Sequence, residues 1–108
     1  MSTAKFTPGP WLVAGHTVYA GEGWNRFSTH VQPGFDNQRN RISDQEVEAN
    51  AHLIAAAPDL FAAVGKLIEC AEMCAAQCRV DGDTAHATMY QSYVDSSCAA
   101  IAKAEGWS

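Results

Sequence analysis

Thiols offer the most distinctive chemistry in this sequence, because three of its four cysteines recur at one spacing. Cys70, Cys74 and Cys78 stand four residues apart, which aligns them along one helix. If the chain turns back near residue 82, His86 lies across from Cys78, and Cys74, Cys78 and His86 could together ligate a soft metal ion. No Cys-x-x-Cys unit is present, however, and cysteine also fills small apolar core positions. Packing, metal binding and redox chemistry all remain open. Packing is favoured, and we expect neither a bound metal nor another cofactor.

A second group of residues, near the front of the chain, mixes aromatic rings with positive charge. Aromatic rings stack on other planar groups, and arginine pairs with phosphate or carboxylate. The candidate ligand contacts are Trp24, Arg26, Phe35, Arg39 and Arg41. The alternative interpretation is structural: the aromatic residues, which also include Trp11, Tyr19 and Phe27, cover a small sheet while the arginines are solvated.

Signatures of catalysis are missing from the sequence. The four histidines, at positions 16, 30, 52 and 86, are scattered, and none lies in an H-E-x-x-H context. There is no G-x-S-x-G nucleophile motif and no phosphate-binding loop. The sequence therefore favours a protein without enzymatic activity.

The front of the chain predicts short strands. Residues 11–14 and 17–20 form a hairpin around Gly15-His16, and residues 26–31 alternate as a half-buried third strand with Phe27, Thr29 and Val31 on one face. Residues 32–41 carry turn-forming residues without periodicity, which predicts a long loop.

The rest of the chain predicts helices. Ser43 followed by Glu46 matches a capping box, so a first helix runs near 44–56. Pro58 interrupts it and suits the start of a second helix, from 58 to about 79. A third helix spans about 84–105, after the turn at 81–83. The side chains expected to face inward are Val47, Ala51 and Ile54 in the first helix, Leu60, Val64, Leu67, Ala71, Cys74 and Cys78 in the second, and Tyr90, Val94, Ser97 and Ile101 in the third.

These elements predict an α+β fold: a small antiparallel sheet of two or three strands, then a bent helix and a long antiparallel helical hairpin. With 108 residues the chain is predicted to be a single domain, with a β-rich front half over 1–42 and a helical half over 43–108. Much of the 47% hydrophobic content is alanine, so the core is thin. A homodimer through the helices would bury more surface.

Charge is distributed unevenly around a net value of −5. Residues 1–43 carry four Lys and Arg against two acidic residues, a net +2, whereas residues 44–108 carry three against ten, a net −7. The acidic total argues against a dedicated nucleic-acid binder, and any anion site belongs in the front half. No apolar run is long enough for a targeting leader or a membrane span, and without a secretion signal the cysteines are expected to be reduced in a cytoplasm.

Two sequence blocks resemble a known group. The opening Thr7–Trp11 reads TPGPW, and residues 48–60 read EANAHLIAAAPDL. Together they resemble a widespread group of small uncharacterised phage and prophage proteins, which join a TPGPW-like opening to an EANAxLIAAAPEL-like helix block. The resemblance implies phage or prophage origin and a bacterial host cytoplasm, and it implies no particular chemistry. The second block also has a structural interpretation, because its alanines permit close packing and Pro58 sets a bend.

The function expected from the sequence is that of a phage accessory protein, a non-enzymatic binding module acting on a host factor or a small anionic ligand. The alternative is a small metal-binding or redox protein that uses the cysteine row with His86.

Overall fold

The computed structural model describes residues 6–20 and 27–106. It confirms the α+β fold, in which a three-stranded antiparallel sheet precedes three helices, and about 60% of the described residues are helical. The elements are β1 (Trp11–Ala14), β2 (Thr17–Ala20), β3 (Ser28–His30), α1 (Asp44–Ala55), α2 (Ala57–Val80) and α3 (Thr84–Ala104).

The sheet has the order β1-β2-β3, and both pairs are antiparallel. The β1–β2 hairpin turns at Gly15, whose φ of 61° suits a residue without a side chain. The predicted third strand is present, but its predicted half-burial was wrong, because the side chains of all three β3 residues, including Thr29, are exposed. β3 is a short edge strand, and the partly buried Phe27 and Val31 flank it rather than belong to it.

Helix α1 packs on the sheet and forms a small core with it. Val18 of β2 and Val47 and Ala51 of α1 are fully buried, and α1 contacts both β1 and β2. Ser43 Oγ accepts a hydrogen bond of 3.2 Å from the Glu46 amide, which confirms the predicted N-cap. Ile54, expected to face inward, is exposed, because the buried stripe of α1 ends at Ala51.

The junction between α1 and α2 is a single non-helical residue, Ala56. Pro58 lies in the first turn of α2, where a missing backbone donor costs nothing. A Cβ atom placed on Gly9 would lie 3.2 Å from Pro58 Cβ. The TPGPW segment therefore passes directly over this junction, and the two sequence blocks of the phage-like resemblance meet in space.

Helices α2 and α3 form the predicted hairpin through the Asp81-Gly82-Asp83 turn, and Arg79 Nη2 donates a 2.6 Å hydrogen bond to Gln91 Oε1 across it. The prediction that Leu60 and Leu67 face inward was wrong, since both are exposed. The buried positions of the two helices are held mostly by smaller side chains instead. The buried residues are Gly65 and Ala75 in α2 and Ala87 and Val94 in α3.

Contacts divide the chain into two compact units. One spans Phe6–Leu60 and contains the sheet and α1, and the other takes the helical hairpin from Phe61 onward. Because α1 packs on the sheet, it belongs with the β-rich part of the chain. That residues 1–108 form a single domain stays a prediction. None of the helices in the described residues combines the length and apolar character needed to cross a membrane.

Candidate functional site

The predicted loop over 32–41 has an ordered backbone, because Asp36 organises it. Asp36 Oδ1 accepts hydrogen bonds from the amides of Gln38 at 2.8 Å and Asn40 at 2.9 Å. The Asp36 amide in turn donates to the Asn40 carbonyl at 2.8 Å. An aspartate that satisfies nearby amides in this way is a common device for fixing a tight turn. Asp36, a residue of the loop itself, therefore fixes the backbone of the loop.

At the base of this turn the chain forms a short ladder. The Ile42 amide donates to the Gly34 carbonyl at 2.9 Å, and Phe35 and Arg41 are antiparallel bridge partners. Directly opposed residues project their side chains to the same side of a ladder. The backbone over residues 34–42, called the 34–42 loop below, thus places an aromatic ring and a guanidinium group side by side.

The side chains of the 34–42 loop project into solvent. Phe35 is 72% exposed, which is unusual for a large aromatic residue. Arg41 Nη2 lies 3.2 Å from Asp44 Oδ1, and both side chains are more than half exposed. A salt bridge of this kind contributes about 0–1 kcal/mol, so Arg41 can exchange Asp44 for another anion at little cost.

Arg39 adopts a left-handed backbone conformation, with φ of 66°. This region costs an ordinary residue about 1 kcal/mol or more, and the turn maintains it because the Arg39 amide donates to the Asp36 carbonyl at 3.0 Å. The Arg39 side chain is exposed, and within the described residues no carboxylate pairs with it. Its charge is therefore available to an external anion.

The other aromatic and arginine residues of the front half divide into two groups. Trp24 and Arg26 lie outside the described residues. Trp11 and Phe27 pack against each other with ring centroids 4.8 Å apart, and the Trp11 indole donates to the Thr7 carbonyl at 3.0 Å. These rings therefore serve the sheet, as the structural interpretation predicted.

The cysteine row follows α2 as its spacing predicts, with Cys70 exposed and Cys74 and Cys78 partly buried. All three are free thiols. Burial raises the pKa of the Cys74 thiol, and the neighbouring Cys70 and Cys78 raise it further. A raised pKa lowers the fraction of thiolate, so it weakens Cys74 as a nucleophile and makes metal binding less favourable.

His86, the proposed third ligand, interacts with the N-cap of its own helix through Nδ1. His86 Nδ1 lies 2.7 Å from Asp83 Oδ2, and the His86 amide donates to Asp83 Oδ1 at 3.1 Å. Across residues 6–20 and 27–106, no group of three or more His, Cys, Asp and Glu side chains is arranged to hold a metal ion.

Three grooves lie along α2 and α3 in the described residues, and they differ in charge. The one near the turn, of about 490 Å³, includes Arg79 and Asp95. The other two are of similar size. One, of about 330 Å³, is lined by uncharged residues that include Cys70, Cys74 and Tyr93. The other, of about 320 Å³, includes Cys98 and three glutamates, at positions 69, 72 and 105. The sequence pattern does not indicate the uncharged groove, because helical spacing assigns Leu67 to the core and gives Tyr93 no role. The tyrosine pair Tyr90 and Tyr93 is the signal that could have indicated it.

Comparison with known proteins identifies the family of the chain. A family model described as Salmonella phage P22 protein Y8K6 matches residues 1–108. The chain belongs to this phage protein family. The match spans the full sequence, including the cysteine-bearing helices, for which the two sequence blocks offered no counterpart. No curated protein and no solved structure matches the chain.

Proposed function

We propose that this member of the phage family is a non-enzymatic accessory protein that acts in the bacterial host cytoplasm. It binds an anionic group, a carboxylate or phosphate carried by a host protein or by a small ligand, through the 34–42 loop. The observation that carries the proposal is the exposed Phe35 ring beside Arg41 on a loop with a defined backbone. Trp24 and Arg26 are included among the proposed contacts because the sequence indicates them.

The order of the 34–42 loop supports a binding role. A loop whose turn is already held by Asp36 loses little conformational entropy when it docks, so more of the contact energy is retained as affinity. Aromatic and arginine side chains are also enriched at the energetic centres of protein interfaces. The net +2 charge of residues 1–43 attracts an anion, whereas the helical half repels it.

Charge reversal tests this proposal. We expect the variant Arg39→Glu with Arg41→Glu to lose partners that the wild-type protein recovers from host lysate, with the recovered proteins identified by mass spectrometry. A variant with serine at all four cysteines should recover the same partners as the wild type. Inorganic phosphate, added as a competitor, separates the two sources of the anion, because it displaces a small ligand more readily than a protein surface that also contacts Phe35.

Arg39→Gly provides a control for folding. Glycine accepts a positive φ, so this variant removes the charge without straining the turn and should be at least as stable as the wild type. Loss of partner recovery in a stable Arg39→Gly variant supports the loop as the binding site. Recovery that survives the double charge reversal but is lost in the serine variant would instead favour the cysteine row.

A further inference from the structure

The uncharged groove between α2 and α3 lies in an exposed apolar face. Leu67 is 67% exposed and Tyr93 is 54% exposed. Cys70 is exposed beside them, and Cys74 and Tyr90 form the floor of the same groove. We refer to Leu67, Cys70, Cys74, Tyr90 and Tyr93 as the thiol–tyrosine face.

The interior of the helical hairpin buries little apolar surface and so contributes little to its stability. Its buried residues are glycine, alanine and one valine, Val94, whereas the largest fully buried side chains of the described residues, Val18 and Val47, belong to the other unit. Apolar burial is the main favourable term in folding, and it scales with the area removed from water. A pair of long helices with so small an interior is stabilised when its exposed apolar face is covered.

The charged side chains on each side of the hairpin determine where a second copy can pack. Two copies of a chain with net charge −5 repel each other, and a contact through Glu69, Glu72 and Glu105 would bring six carboxylates together. None of the residues that line the uncharged groove carries a charge. A third groove, near the turn, includes Arg79 and Asp95, so a contact there would take charged groups out of water. Of these three grooves, the one in the thiol–tyrosine face lets two copies approach with no charged side chain in the contact.

We propose that the protein is a homodimer in which two thiol–tyrosine faces pack around a two-fold axis and form a four-helix arrangement. Leu67 to Cys74 and Tyr90 to Tyr93 lie near the middle of α2 and α3, so an axis through the groove gives the greatest overlap of the helices. From Phe61 to Val80, α2 is about 30 Å long, and two helices side by side are about 20 Å wide. The side of the hairpin that contains the thiol–tyrosine face thus has a projected area of roughly 600 Å² per copy, somewhat less than the ~800 Å² of a standard interface.

Two exposed cysteines on different sides of the hairpin provide the test. Cys70 lies on the thiol–tyrosine face and Cys98 lines the acidic groove. A short bismaleimide cross-linker should produce covalent dimers of the wild-type chain and of Cys98→Ser, whereas Cys70→Ser should produce few. Both substitutions are at exposed positions, so both variants are expected to fold, and far-ultraviolet circular dichroism verifies this.

Sedimentation of matched glutamate variants completes the experiment. Leu67→Glu places a charge in the proposed contact and should weaken dimerisation roughly tenfold or more. Met73→Glu changes a side chain of the same helix that is 74% exposed and does not line the groove, so the dimer should persist.

A monomer mass for the wild type at ~100 μM would overturn the proposal, as would equal cross-linking through Cys98 or a dimer unaffected by Leu67→Glu. The Arg39 and Arg41 variants should still dimerise, which separates this proposal from the binding role of the 34–42 loop.

Discussion

At the scale of single residues, Asp83 carries the clearest electrostatic role in the described chain. Its carboxylate accepts from the His86 amide and lies beside the His86 ring at the start of α3. The hydrogen bond from that amide is the main cause that lowers the pKa of Asp83 below its ordinary value of 3.8. Desolvation opposes it, and the His86 side chain adds weaker lowering contributions. The ionised form of Asp83 therefore stabilises the helical hairpin.

The expected pH dependence follows from the sign of this shift. A carboxyl group with a lowered pKa in the folded state contributes stability above its unfolded value, and the contribution is lost as the pH falls through the folded pKa. Asp83→Asn keeps a capping side chain and removes the charge. The thermal midpoint of the wild type should exceed that of Asp83→Asn at neutral pH, and the gap should close as the pH falls below 3.8 and through the lowered pKa of Asp83. A gap that stays constant or widens below pH 3.8 would contradict this role.

At the scale of elements, the helical hairpin depends on the conformation of its turn. Gly82 has φ of 78°, and a Cβ added there meets nothing within 4 Å. The turn thus requires glycine for its backbone conformation rather than for space. Gly34, at the base of the 34–42 loop, has equally open surroundings without a positive φ.

These two glycines make a matched pair for substitution by alanine. Gly82→Ala should lower the free energy of unfolding by about 1 kcal/mol, because an alanine is strained at positive φ. Gly34→Ala should be neutral, or stabilising by up to about 1 kcal/mol, because it only restricts the unfolded chain. Urea denaturation of both variants measures the difference. If both variants lose the same free energy of unfolding, then avoiding backbone strain is not the role of Gly82.

At the scale of the whole molecule, the question is whether the two compact units unfold together. Val47 is fully buried between α1 and the sheet, so Val47→Ala should remove about 2 kcal/mol through lost burial and a small cavity. The helical signal at 222 nm comes mainly from α2 and α3, which belong largely to the other unit. If residues 1–108 form a single domain, Val47→Ala should shift one common urea transition at that wavelength. Two separated transitions, with the larger one unmoved, would show independent units.

The bounds of the three helices and of the β1–β2 hairpin could be predicted from the sequence because they depend on local chemistry. Ser43 caps α1 through an amide only three residues away, and Gly82 permits a turn that other residues resist. Helices α1, α2 and α3 accordingly begin and end within one residue of their predicted limits. The α+β class follows from the order of these elements.

Tertiary structure decided which side chains are buried and which of the candidate site residues lie close together. Helical periodicity places Leu67 and Cys74 on one stripe, but the position of α3 determines that Leu67 is exposed while Gly65 and Ala75 are buried. The sequence predicts a loop at 32–41, yet the pairing of Phe35 with Arg41 depends on hydrogen bonds between residues that are separated along the chain. Local interactions are encoded by neighbouring residues and can be inferred from them. Burial and juxtaposition depend on contacts between distant residues, which the sequence specifies only through the folded structure.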